Sequence, residues 1–344
     1  MGGCPKLKNS GYYLSMSPTS RRDFLKSSAL LPLTAGLALP SAALAAIAPP
    51  KRIGGANLKL SLNAYSFARL LNDRLLGRGE GLSLEQLAEF CAQHNFDGID
   101  ITAYYFPGYR ERKPPEDRTL FEVRKRCFEL GLGISGTGTG NNFTTADKAA
   151  RAKDVAWVKQ SVEIAAKLGA PVLRVFADTQ MRAQTWETVS NGASRGEVET
   201  WIADDIRTCA DHAAKFGVII GVQNHGDFIK TADDLISLLR RIDSPWCGAI
   251  VDTGYFKAPD PYAEIAKAAP YAVNWQIKQS PLGVEKEAEA PTDLKRLMRI
   301  VRDSGYRGYL PIETLSPRGG GSYDPFQVVP KFLAEVRAAL AATA

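Results

Sequence analysis

The sequence predicts an α/β protein: a single (β/α)8 TIM barrel preceded by a cleavable leader. Branched apolar runs alternate with amphipathic helical stretches eight times without a break, which implies a parallel sheet with right-handed crossovers. Eight such pairs in a chain of 344 residues suit a closed barrel better than a doubly wound sheet. The links are also asymmetric. Helix-to-strand links are brief (Gly131, Gly169-Ala170, Gly217, Ser244-Pro245, Gly305-Tyr306), whereas strand-to-helix links at 107–117, 179–196, 280–292 and 316–324 are long. Elaboration on one face is what a barrel with its site on the carboxyl rim requires.

Residues 1–46 form the leader. Ser20-Arg21-Arg22-Asp23-Phe24-Leu25-Lys26 precedes an Ala/Leu-rich stretch that closes on Ala43-Leu44-Ala45. This is the pattern of a twin-arginine export signal cleaved near Ala45. The alternative is a membrane anchor, because 27–46 is about long enough to span. Pro32, Pro40 and the weak hydrophobicity favour cleavage, and Met16 is a second candidate start. The expected location is the periplasm or another exported compartment, with no membrane attachment once the leader is removed.

A linker at 47–56, with Pro49 and Pro50, leads into a barrel domain at 57–344. Strand and helix then follow in order: 58–67 with 83–94, 96–106 with 119–130, 132–138 with 146–168, and 170–178 with 197–216. The second half reads 218–224 with 232–242, 249–252 with 261–268, 273–278 with 293–303, and 309–314 with 326–342. Ser83 is a cap followed by Glu85 and Gln86 in the first turn. Val198, Trp201, Ile202, Ile206, Cys209 and Ala213 share one face of their helix, as do Leu294, Leu297, Met298 and Val301 of theirs.

The formal charge is +6. Lys6, Lys8, Arg21, Arg22 and Lys26 against Asp23 place four of those charges in the leader, so the remainder carries +2. Such a balance gives no reason to expect nucleic acid as a partner. Cys91, Cys127 and Cys209 fall on apolar helix faces and Cys247 opens a strand. No CxxC or CxxH spacing exists, so buried free thiols are expected, without a thiolate zinc site or a disulfide framework.

The stretch Gly217–Phe228 concentrates the chemistry. Val218, Ile219, Ile220 and Val222 end abruptly in Gln223, Asn224, His225 and Asp227. Three other strands stop in the same way, offering Asp252, Gln276 with Lys278, and Glu313. Glu313 sits inside an apolar run and therefore needs a partner, a proton or a cation. Asp252 and Glu313 are the candidate anionic ligands of one divalent metal, with the amide oxygens of Gln223 and Gln276 completing the shell as hard donors. Ion pairing is the competing reading for both carboxylates. Glu313, or His225 in its place, is the candidate group that moves a proton, and His225 could also be a substrate donor. Lys278 points the same way as Gln276 and could steady an oxyanion or pair with a carboxylate. Arg174, within Val172-Leu173-Arg174-Val175-Phe176, wants a sugar oxygen or a carboxylate. Asn63, Tyr65, Asp100, Tyr104, Asn224 and Tyr255 suit hydroxyl recognition. Gly136-Thr-Gly138-Thr-Gly140 lacks the spacing of a dinucleotide fingerprint, and Gly319-Gly320-Gly321 reads as a rim loop rather than a phosphate cradle.

Taken in order, Ser61-Leu62-Asn63-Ala64-Tyr65-Ser66-Phe67, Phe96-Asp97-Gly98-Ile99-Asp100, Val222-Gln223-Asn224-His225-Gly226, Asp252-Thr253-Gly254 and Gly308-Tyr309-Leu310-Pro311-Ile312-Glu313 resemble the xylose isomerase-like TIM barrels, a family described broadly as sugar phosphate isomerases/epimerases. The resemblance covers residues 56–340. It implies a divalent metal, Mn²⁺ or Mg²⁺, held by Glu, Asp, His and Glu, with the two glutamates moving a proton beside a carbonyl. Asp252 and Glu313 match that pattern. Gln223 stands at the first glutamate's place and Gln276 at the histidine's, while Tyr255 replaces a histidine and Asp100 a glutamate found in many relatives. An amide cannot abstract a proton near neutral pH, so two-base epimerisation cannot run unchanged, and any metal is weakly held or absent.

The expectation is thus an exported sugar isomerase/epimerase-like enzyme on a small-molecule carbohydrate, with isomerisation or elimination at a keto-sugar its reaction. Two alternatives stay open: a metal-free degenerate sugar-binding barrel, and a hydrolase using Asp252 and Glu313 as a carboxylate pair. A homo-oligomer is also compatible with the sequence.

Overall fold

The computed structural model describes residues 48–179, 184–279, 292–316 and 322–343. The leader, its cleavage site and Gly319-Gly320-Gly321 lie outside the described residues.

Eight parallel strands close on themselves in sequence order. They are β1 (Asn57–Asn63), β2 (Gly98–Asp100), β3 (Gly133–Gly138), β4 (Val172–Phe176), β5 (Ile219–Gln223), β6 (Cys247–Asp252), β7 (Ala272–Lys278) and β8 (Arg307–Glu313). Closure is made by β1 against β8, with Leu60 opposite Leu310 and Leu62 opposite Ile312. The (β/α)8 barrel expected from the sequence is the observed fold.

Most of the long helices begin where capping side chains stand. α2 (Leu84–Gln93) starts at a capping box between Ser83 and Gln86, and α6 (Arg195–Ala213) at one between Ser194 and Glu197. α7 (Ala232–Ile242) starts at Thr231 with Asp234, and α4 (Lys148–Leu168) has Asp147 as its cap. Each such cap satisfies backbone N–H groups that the first helical turn leaves unpaired. α3 (Asp117–Glu129), α8 (Pro261–Ala268), α9 (Leu294–Asp303) and α10 (Pro325–Ala341) complete the ring. The brief returns to the sheet rest on glycine: Gly169 and Gly217 sit at φ 83° and 68°, left-handed conformations that end the helix at little cost.

Two short helices fall outside the eightfold pattern, α1 (Ala68–Leu75) and α5 (Trp186–Val189), both in strand-to-helix links. The first two strands are also shorter than expected. After β1 the Asn63 side chain accepts from the Tyr65 N–H at 2.9 Å and turns the chain into a 3-10 helix at Ala64–Phe67. After β2 the chain turns again at Ala103–Tyr105. Tyr65 and Tyr104 therefore lie on rim turns rather than on strands.

The pleat divides the strand residues into two populations. Leu60, Leu62, Ile99, Leu173, Val175, Ile220, Val222, Trp275, Ile277, Leu310 and Ile312 are buried in the apolar layer beneath the helices. The alternate positions turn inward and are largely polar or glycine. Asn274 reaches across the interior from β7 to donate to the Ser135 carbonyl of β3 at 3.2 Å. A Cβ on Gly136 would meet Asn274 Nδ2 and Asp100 Oδ2 at 2.8 Å, and one on Gly138 would meet Arg174 Nη2 at 2.6 Å. Those two glycines make room for the side chains that fill the interior. All four described cysteines are free and buried, and burial pushes their thiols up.

The Tyr309 ring plugs the amino-terminal end of the barrel, where a Cβ on Gly133 would stand 2.0 Å from its hydroxyl. Gly133→Ala is expected to cost about 1–3 kcal/mol in urea unfolding through overpacking. Adding Tyr309→Phe should return part of that loss. An unchanged midpoint for the single variant would show that the plug is not a packing constraint.

Candidate active site

Five inward side chains from the carboxyl ends of β5 to β8 meet at the barrel mouth. Register places Asp252 opposite Gln276 and Lys278 opposite Glu313, which brings residues distant in sequence to one level. Lys278 Nζ lies 2.6 Å from Glu313 Oε1 and 3.4 Å from Asp252 Oδ2. The ammonium also faces the Tyr255 ring at 5.4 Å. Gln223 Nε2 donates to Asp252 Oδ2 at 2.6 Å. All of these groups except Tyr255 are buried.

Two orientations of the Gln276 amide compete. With its oxygen toward the centre it accepts from Gln223 Nε2 at 2.8 Å. That oxygen then confronts carboxylate oxygens, and the amide nitrogen confronts Asn63. The reversed amide donates to Asp252 Oδ2 at 3.0 Å and Glu313 Oε2 at 3.2 Å, while its oxygen accepts from Asn63 Nδ2 at 3.1 Å. Three satisfied contacts outweigh one, even with the two amide nitrogens left close together, and we assign the reversed orientation.

Burial alone would lower Lys278, but Asp252 and Glu313, then Tyr255 and the hydrogen bond it donates to Glu313, hold it well above the usual lysine range. Asp252 moves up, because burial outweighs the attraction of Lys278. Lys278 is therefore a fixed positive charge and not a base.

A cavity of about 890 Å³ opens above this cluster. Of the candidate residues, Asn63, Tyr65, Tyr104, Arg174, Gln223, His225, Tyr255, Gln276, Lys278 and Glu313 line it. Asp100, Asn224 and Asp252 do not. Asn224 was expected to contact substrate, yet it is fully buried and pins β6: its Nδ2 donates to the Asp252 carbonyl at 2.9 Å and its Oδ1 accepts from the Asp252 N–H at 2.8 Å. Asp252 lies beneath the cavity floor, and Asp100 is held in the interior near Arg174.

Two further groups complete the walls. His225 Nδ1 is 2.9 Å from Asp178 Oδ2, and its ring packs on Tyr255 at 4.2 Å and Phe176 at 4.9 Å. Asp178 is buried and was missed in the sequence, where it reads as the polar end of an ordinary strand. Its signal was present, since it lies two residues past the end of β4 as His225 lies two past the end of β5. Arg174 lies over the Phe176 ring at 4.0 Å, donates to the Tyr104 hydroxyl at 2.8 Å and to the Thr139 carbonyl at 3.3 Å. Among the described residues no carboxylate lies within ion-pairing distance of it. Rim segments that the sequence did not single out also contribute: Ser66, Thr102, Thr314 and Tyr323 line the cavity, and Tyr323 is tied to Thr314 Oγ1 at 2.6 Å.

The residues present do not fit the divalent metal expected from the sequence. Among the described residues no group of three or more His, Cys, Asp or Glu side chains could hold a metal ion. Both carboxylates share an ammonium, and the amide of Gln223 turns a donor, not an oxygen, toward Asp252. Gln223 Oε1 is buried without a partner. One neutral oxygen is a weak basis for a hard cation that takes six or more.

A closed parallel barrel with a polar site on its carboxyl rim defines a broad class of protein. Within it, residues 88–335 match the family model described as Xylose isomerase-like TIM barrel. The chain belongs to that family. A curated relative, a 3-dehydroshikimate dehydratase from Pseudomonas putida, is 24% identical over 177 residues, covering 50% of this chain and 24% of that protein. The chain thus matches only about a quarter of that relative's length. Among solved structures, a D-psicose 3-epimerase from Clostridium cellulolyticum H10 superposes with a TM-score of 0.63 at 15% identity, covering 82% of this chain and 99% of its own. An L-ribulose 3-epimerase gives 0.65 at 17%, covering 83% and 95%. A probable 3-DHS dehydratase from Bacillus anthracis gives 0.57 at 16%, covering 80% and 98%. At these identities the likeness is one of fold.

Burial pushes Asp100 up to about 7, against the pull of Arg174 and with an added push from Glu313. Its folded pKa is raised above the unfolded value, so its contribution to stability is full below about pH 4 and is lost as pH rises through about 7. Asp100→Asn should remove that slope. The difference between wild-type and variant unfolding free energies, followed by urea titration from pH 4 to 8, is expected to shift toward the variant as pH rises. A constant difference across the range would refute the assignment.

Proposed function

We propose that this barrel is an enzyme that moves a proton at the carbon beside a carbonyl in a small polyhydroxylated compound, a keto-sugar or close derivative. Isomerisation or elimination is the overall reaction. The observation that supports this reading is the presence, on one cavity, of the His225–Asp178 dyad and the Lys278–Glu313 ion pair, both beside Tyr255. The dyad can exchange a proton, and the ion pair offers charge to a developing oxyanion.

The roles follow from what each group is already bound to. Asp178 fixes the ring of His225 through Nδ1, which assigns proton exchange to Nε2. Glu313 has Lys278 on one oxygen and the Gln276 amide at the other, so it suits the holding of charge better than proton abstraction. Lys278, permanently charged, stabilises the negative oxygen of an enediolate-like state. His225 takes the proton from carbon. In isomerisation it returns that proton to the neighbouring carbon while the hydroxyl proton passes from one substrate oxygen to the other; in elimination it passes it to a departing hydroxyl, which leaves as water. Arg174, Tyr104, Asn63 and Tyr65 would bind substrate oxygens along the other wall. The hydrolase alternative fits less well, because Asp252 is below the floor and shares its cation with Glu313 rather than facing it across a substrate.

The whole class of reaction begins with exchange of one C–H proton. Incubating a panel of ketopentoses, ketohexoses and their acid derivatives in D₂O is expected to give deuterium incorporation or a new product by NMR for at least one member. His225→Asn should slow that turnover by about 10²–10⁴ with the fold retained. Binding of a sugar with neither exchange nor product would instead favour a binding barrel, and loss of less than threefold in His225→Asn would remove the histidine from its role.

We also propose that Arg21 and Arg22 direct export by the twin-arginine route. Replacing both by lysine should leave the protein in the cytoplasmic fraction of cells that otherwise export it; unchanged fractionation would sink this part of the reading.

A further inference from the structure

We infer that the Lys278 ammonium is a built-in replacement for a divalent cation, so that the site is catalytically complete without metal. The catalytic half of this inference rests on the function proposed above; the metal half does not.

The ammonium has a constructed seat. Glu313 Oε1 at 2.6 Å and Asp252 Oδ2 at 3.4 Å bracket it, and the Tyr255 ring lies 5.4 Å away on a further side. The backbone is shaped to deliver it. Lys278 N–H donates to Thr253 Oγ1 at 3.0 Å, and a Cβ on Gly254 would come 2.9 Å from Lys278 Cγ, so only glycine leaves the stem its path. Asp252, Thr253, Gly254 and Tyr255 are consecutive. One short segment therefore supplies an anion, an anchoring hydroxyl, clearance and an aromatic face to a single side chain.

With Lys278 in place the two carboxylates keep one net negative charge, too little to neutralise a divalent ion as well. Two carboxylates face one ammonium, and the remaining positions around them, Gln223 and Gln276, are neutral. A divalent ion seated beside Lys278 would share the same two anions with an existing positive charge at close range, in a buried site where screening is weak. The amides strengthen the same case. Gln223 gives its N–H to Asp252, and the assigned Gln276 amide gives its own to Asp252 and Glu313. These N–H groups and the ammonium occupy carboxylate lone pairs that a metal would need. Lys278 also reaches the cavity surface, so its third N–H direction can meet a substrate oxygen.

The test begins with full-length protein purified without chelator, analysed for metal content, then dialysed against EDTA and titrated with Mn²⁺, Mg²⁺ and Zn²⁺. The expected result is below about a tenth of an equivalent of any divalent ion, no thermal shift at millimolar concentration, and deuterium exchange unchanged by EDTA. A stoichiometric metal, or a melting temperature that climbs with added Mn²⁺, would overturn the inference. A second arm combines Lys278→Met with Gln223→Glu and Gln276→His, which removes the ammonium and installs an anion and an imidazole. This variant should bind about one equivalent of Mn²⁺ and gain thermal stability from it. If it folds and binds none, the ammonium is not what stands in the cation's place. The metal measurements need no substrate, so they decide the matter even where the carbohydrate panel gives no turnover.

Discussion

A buried ammonium shared by two carboxylates governs the mouth of this barrel. Lys278 could not remain charged in the interior without Asp252 and Glu313, and neither carboxylate could remain ionised there without a cation. The three groups come from β6, β7 and β8, so the ion cluster ties neighbouring strands at the level where their ladders end. It also turns the remaining polar groups. Gln223 and Gln276 point their donors at the carboxylates, Asn63 is drawn to Gln276, and Asn224 is left to bind the backbone of Asp252. The chemistry available to a ligand is what this network leaves over: one positive charge, one carboxylate edge and the histidine on the far side of the Tyr255 ring they share.

The wider architecture serves the same end. Apolar side chains of the strands face the helices and carry the hydrophobic core, which frees the inward positions for polar residues. Glycines at 136 and 138 give Asn274 and Arg174 space that a Cβ would take. The rim turns after β1 and β2 then bring Tyr65 and Tyr104 over the opening. Stability and site chemistry are thereby assigned to opposite faces of the same strands, and a substitution on one face need not disturb the other.

Much of this was legible before any coordinates. The repeating alternation of apolar runs and helical stripes, with glycine at several of the brief returns, specified the barrel because both periods are local properties of the chain. α7 (Ala232–Ile242) and α8 (Pro261–Ala268) have the bounds read from the sequence. Polar residues at apolar strand ends likewise marked Gln223, Asp252, Gln276, Lys278 and Glu313 as neighbours. The short helices α1 and α5 and the rim turns were harder, since a few residues in a long link carry no periodicity. Asp178 escaped notice because its meaning depends on His225, 47 positions away.

The sequence alone determined the fold and the residues gathered at its carboxyl edge, because pleat, helical period and strand-end polarity are written in consecutive residues. Only the tertiary structure decided how those residues are paired. Whether a lysine reaches a carboxylate or a cavity, which way an amide turns, and whether an asparagine faces a ligand or a backbone are set by distances between strands. Those distances convert a set of presumed metal ligands into a cluster organised around its own ammonium.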